Sequence, residues 1–257
     1  MWRTSSRWLA VSLLSFTLGC SGQSSAPRFA TADKTADETL SDNALASSPT
    51  EAEPTFETQF EKVLAGEAIG IRLAQAKISA EQLVKLREVA SKLLELQLDA
   101  GVIDDTSLGS IASLTALEHL RLRGSPITDA GITKLDPAKL PNLRILNLPQ
   151  ASLSAAGLEH LATFPNLVQL RMGGAKCDDG AAEVLARFPA LRSLHLIGPK
   201  FTDGALERLA KAPKLASLYI DDCHMSDSAW ERLFAAKPSL HVHIDQHHHD
   251  RDPKADH

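Results

Sequence analysis

Aromatic side chains are scarce in this chain: eight Phe, three Trp and one Tyr make up 5% of 257 residues. A core organised around clustered rings is therefore not expected, and thin layers of stacked aliphatic residues suit the composition better. Trp2 and Trp8 fall within the first ten residues, which leaves Trp230 for the folded part. Cysteine numbers only three. Basic residues are outnumbered, 27 against 32 acidic, and a formal net charge of −5 argues against general nucleic-acid binding, whose usual footprint is a basic surface. Catalytic signatures are missing too. No Gly-rich phosphate loop follows a strand, no G-x-S-x-G occurs, and neither Cys177 nor Cys223 has the local surroundings of a nucleophile. Neither an enzyme nor a cofactor is expected.

What the chain has in quantity is leucine at fixed spacing. The triplets run Leu93–Leu96–Leu98, Leu117–Leu120–Leu122, Leu143–Leu146–Leu148, Leu167–Leu170–Met172, Leu191–Leu194–Leu196 and Leu215–Leu218–Ile220. Their middle positions recur every 24 residues, with one two-residue insertion before Leu146. Between triplets the punctuation also repeats. Thr202-Asp203 offers a side-chain acceptor to the free N–H groups of a helix start, and Asp suits the positive end of the helix dipole. Leu206, Leu209 and Ala210 then fall at i, i+3 and i+4, and Pro213 ends the helix by pushing its predecessor out of the α region. Thr128-Asp129 with Pro141, Asp178-Asp179 with Pro189, and Ser226-Asp227 with Pro238 follow the same plan.

A period in the low twenties built on L-x-x-L-x-L resembles the leucine-rich-repeat family, here from about Ala68 to Asp245. The helix-backed units with T/S-D starts resemble the subclass shared by bacterial repeat lipoproteins and the repeat regions of F-box proteins. The resemblance implies an α/β solenoid of about seven units, strands on the concave face and helices on the convex one. It is specific for fold and poor for function. A polar segment stands where an F-box-like module would, so a ubiquitin-ligase role is not expected.

Residues 1–20 read as a secretion signal. Arg3 and Arg7 precede an apolar run, Leu9 to Leu18, that is too short to span a bilayer as a helix. The run ends in Thr17-Leu18-Gly19-Cys20, which resembles the lipobox of bacterial lipoproteins; Gly19 fits, while Thr17 and Leu18 depart from the favoured Leu and small residue. The resemblance implies lipidation of Cys20 and anchoring on the outer side of a bacterial membrane, with Ser21 favouring the outer membrane. Losing Arg3 and Arg7 with the leader would take the net charge from −5 to −7. Residues 21–54 contain hardly a large apolar side chain and are expected to form a disordered acidic tether. The solenoid is assigned to 55–245, opened by a capping helix with Phe56, Phe60, Val63 and Leu64 at helical spacing and by a degenerate strand with Ile69, Ile71 and Leu73. Residues 246–257 form a His/Asp-rich polar tail.

Of the remaining cysteines, Cys177 aligns with Ile127, Phe201 and Met225 at a buried position, while Cys223 falls in a loop two rungs away. Rungs stack at about 4.8 Å, and the resulting ~10 Å exceeds disulfide reach. Two free thiols are expected.

Residues alternating with the core leucines face the concave surface. Their central column reads Arg72, Gln97, Arg121, Asn147, Arg171, His195, Tyr219, flanked by residues such as Glu95, Asp99 and Arg123. Arg and Tyr are common binding anchors. Arg72, Arg121, Arg123, Arg171, His195 and Tyr219 are therefore the expected contacts for a protein partner, acidic or extended, of a monomeric module that touches the membrane only through its lipid. The alternative is a periplasmic metal-binding or metal-sensing protein: His241, His243 and Asp245 alternate on one strand face, and imidazole and carboxylate are competent zinc, nickel or copper ligands.

Overall fold

Only one side of each L-x-x-L-x-L strand carries leucine, so each strand must lay that side on a common core. The computed structural model describes residues 53–101 and 103–249. Its strands are β1 Gly70–Leu73, β2 Glu95–Leu98, β3 His119–Leu122, β4 Ile145–Leu148, β5 Gln169–Gly173, β6 Ser193–Ile197, β7 Ser217–Asp221, β8 His241–Ile244 and β9 His247–His248. Sheet order follows chain order, with β1 to β8 parallel and β9 returning antiparallel to β8. Helix α1 Phe56–Ala65 precedes β1, and short helices lie between strands: α2 Ala80–Lys85, α3 Leu108–Ile111, α4 Asp129–Ile132, α5 Ala155–Leu161, α6 Asp179–Leu185, α7 Asp203–Leu209 and α8 Asp227–Ala236. This is an α/β leucine-rich-repeat solenoid.

The register is unbroken. Leu96, Leu120, Leu146, Leu170, Leu194, Leu218 and Val242 align across successive strands and are at most 1% exposed. Each leucine so buried contributes about 1.5–3 kcal/mol relative to an exposed one. The two extra residues before Leu146 leave the β3–β4 pairing intact. Within the longer connection after α4, Asp136 accepts from the Ala138 amide through Oδ1 and from the Leu140 amide through its carbonyl.

A second ladder runs through the helix starts. The Asp105 carboxylate accepts the Thr128 amide at 2.8 Å and its hydroxyl at 2.5 Å. Asp129 does the same for Ser154, at 2.9 and 2.6 Å, and Asp179 for Thr202, at 2.9 and 2.5 Å. Asp203 holds Ser226 likewise, at 2.9 and 2.5 Å. Each capping hydroxyl in turn accepts an amide of its own helix. The repeated T/S-D therefore couples one repeat to the next as well as starting a helix.

Each end of the sheet carries its own terminal element. At the first, α1 buries Phe56, Phe60 and Val63 on the core, while Leu64, off that stripe, is 37% exposed. Gln59 then covers the edge strand: its Nε2 donates to the Arg72 carbonyl and its Oε1 accepts the Arg72 amide, both at 2.7 Å. At the other end the chain does not leave the solenoid at Asp245 as a polar tail; residues 247–248 fold back onto β8. Among the described residues, Cys177 and Cys223 are free and buried. The leader, Cys20, the tether and the end of the tail lie outside the described residues.

Candidate functional site

Register places Arg72, Gln97, Arg121, Asn147, Arg171, His195, Tyr219 and His243 in one row across eight strands. Exposure along that row is graded rather than uniform. Arg72 is exposed and Gln97 and Arg121 are half-buried, but Asn147, Arg171, His195 and Tyr219 are each at most 8% exposed. Where rings occupy neighbouring rungs of the column, the spacing of about 4.8 Å sets them against each other. His195 and Tyr219 have ring centroids 5.5 Å apart, and Tyr219 and His243 4.7 Å. Position on the strand face thus does not guarantee access; along β4 to β7 the side chains close the face themselves.

Charge on the row is partly neutralised from within. Arg121 Nε donates to Asp99 Oδ1 at 2.9 Å, with both side chains largely buried. His195 Nε2 lies 2.7 Å from Asp221 Oδ2. Burial pushes the Asp221 carboxyl up, but the hydrogen bond and charge of His195, the charge of Arg171 and the Gln246 amide together hold it below the ordinary Asp range. His119, next to this row, is pushed down by burial and then by Arg121. Arg123, half-buried, stands in the third column beyond Arg121.

The last rung gathers histidines. Alternation along β8 puts His241 and His243 on one face, with Nε2 atoms 2.9 Å apart. Asp245 and Gln246 then take positive φ, 48° and 65°, and reverse the chain. The reversal sets His248 opposite His243. Because the His249 amide donates to the Val242 carbonyl, 243 and 248 form the non-hydrogen-bonded pair, in which facing side chains come closest. Among the described residues, His241, His243 and His248 are the group whose ligand atoms lie within 4.8 Å of one another. Asp245 is not in it; its Oδ1 accepts the Asp222 amide at 2.7 Å. His249, one residue on, packs its ring at 5.2 Å from Trp230 and 5.1 Å from Phe234.

The thiols are not poised for chemistry. Burial, with the nearby charges of Asp178 and Asp129, pushes Cys177 up to about 12, and burial raises Cys223 as well. An open pocket lies beside the entries to β3, β4 and β5, lined by Glu118, Arg144 and Val168 among others.

No protein-family model and no curated protein matches this sequence. Solved structures similar in shape include an internalin (inlF) from Listeria monocytogenes, at TM-score 0.48 and 18% identity. That match covers 68% of this chain and 53% of the internalin, so the chain spans about half of that protein's length. Leiomodin-1 actin-binding site 2 matches at TM-score 0.36 and 19% identity, over 56% of this chain and 80% of that one. At these values neither likeness bears on partner or activity, and the leucine-rich-repeat assignment stands on the chain's own period, register and helix-backed units.

Proposed function

We propose that this protein is a non-enzymatic, monomeric binding module, lipid-anchored through Cys20 on the outer side of a bacterial membrane, that engages a protein partner along its strand face. The observation that carries the reading is the unbroken row from Arg72 to His243. Side chains fixed on eight paired strands are ordered before a partner arrives, so binding loses little conformational freedom. Arg72 offers the exposed contact, and Arg121 and Arg123 are half-buried. Asp99 holds Arg121 in place. Arg171, His195 and Tyr219 form a packed floor beside them. A lipid at Cys20 followed by a polar tether would let the solenoid reach a partner away from the bilayer.

Crosslinked capture from the protein's own envelope tests this. Wild type and a convex-face control, Glu207→Arg, should retain the same partner, and Arg72→Glu/Arg123→Glu should lose it; equal capture by all three contradicts the reading. Cys20→Ser should release the protein from the membrane fraction, and retention there contradicts the anchor.

A further inference from the structure

We propose that His241, His243 and His248 form a binding site for a divalent cation of the zinc class, assembled by the β8–β9 hairpin. The claim does not depend on a protein partner. Its basis is convergence. Ring centroids lie 4.6 Å apart for His241 and His243, 5.0 Å for His241 and His248, and 4.1 Å for His243 and His248. Zinc–nitrogen bonds of about 2.0–2.1 Å in a tetrahedron set ligand nitrogens about 3.3 Å apart. The 2.9 Å between His241 and His243 and the 4.8 Å limit on the whole group need only small ring rotations to reach that spacing.

Electrostatics points the same way. The two imidazole nitrogens at 2.9 Å already share one proton in an N–H···N bond, and a cation can take that proton's place between them. A shared proton links two nitrogens at most, whereas one cation is met by all three. An all-imidazole set selects zinc, nickel, copper or cobalt over magnesium and calcium.

The site also has a rigid part and an entrance. His241 is fully buried, and the Tyr219 ring packs at 5.9 Å from its ring and 4.7 Å from that of His243. His248, on the short return strand, is exposed, so an ion can enter from solvent before the third ligand closes on it. Three protein ligands leave a fourth position for water or an incoming carboxylate.

Calorimetric titration of zinc into the EDTA-treated full chain tests the proposal. One zinc per chain should bind with micromolar or tighter affinity, and cobalt(II) should give the absorption of a four-coordinate site. His248→Ala, at an exposed position where folding is not at stake, should weaken binding by more than the roughly 10–100-fold that loss of an outer-shell partner costs. His247→Ala, on the same strand, should leave it unchanged. Lowering the pH from about 7.5 to about 5.5 should weaken binding as protons compete for imidazole. Absence of stoichiometric uptake overturns the proposal. So does an equal loss in His247→Ala and His248→Ala, which would make the tail an adventitious chelator.

Discussion

His195 Nε2 meets Asp221 Oδ2 at 2.7 Å, tying the central column of one rung to the outer column of the next. Both side chains are nearly out of contact with water, 5% and 12% exposed. A hydrogen bond to a charged group in such a place is worth about 1.5–3 kcal/mol.

The depressed titration of Asp221 gives that pair a pH signature. The folded carboxyl titrates below its ordinary value, so the folded state holds fewer protons there than the unfolded chain. Its contribution is complete above the unfolded value of about 3.9 and is lost as pH falls through the folded one. Urea midpoints for wild type and Asp221→Asn should therefore differ at neutral pH and converge below about pH 4. Other carboxylates held low, Asp203 among them through its bonds from Ser226, are common to both proteins and cancel. A gap that stays constant down to about pH 3 would contradict the assignment.

Asp129→Ala removes both bonds from Ser154 and should lower unfolding free energy by about 1–3 kcal/mol, read from chemical denaturation. An unchanged midpoint would mean that the helix-start ladder adds nothing to stability.

One step of that ladder is missing, and two residues depart together. Ala155 occupies the place of Asp129, Asp179 and Asp203, and the facing cap is Asp178 where other repeats have Ser or Thr. A carboxylate at 155 would face another at 178. Ala155→Asp should destabilise the protein, and adding Asp178→Thr should restore it, with a coupling of about 0.5–3 kcal/mol. Strict additivity would contradict the account.

Gly157→Ala separates two opposed effects. Alanine in α5 gains about 0.8–1.0 kcal/mol in helix propensity. A Cβ there would lie 2.2 Å from Asp129 Oδ1, which can move aside only by giving up Ser154. Overpacking costs about 1–3 kcal/mol, so net destabilisation is expected. The penalty should vanish in an Asp129→Ala background; if it persists, the carboxylate is not its cause.

Cys177, buried and raised to about 12, should resist iodoacetamide in the folded protein and react only on unfolding, as followed by mass spectrometry. Rapid modification of the native chain would contradict this.

The fold was legible because one spacing repeats: the L-x-x-L-x-L triplets fix which strand face is buried, and the structure pairs those positions as aligned. The direction of the Arg72-to-Tyr219 row was legible for the same reason. Its burial was not, since that depends on contacts between residues 24 apart, as between His195 and Tyr219. His248 was hidden by the turn before it. Two successive residues at positive φ normally call for Asn-Gly or Asp-Gly, and Asp245-Gln246 lacks the glycine, so the hairpin leaves no strong local mark. The coupling of Asp129 to Ser154 was half visible, because T/S-D announces a helix cap but not the partner one repeat away.

The most direct test of recognition through the strand face is photo-crosslinking from defined positions in the native envelope. A photoreactive amino acid at Gln97, on the concave row, should form an adduct with the partner, and one at the exposed convex position Glu207 should not. Adducts from Glu207 with none from Gln97 would contradict the account.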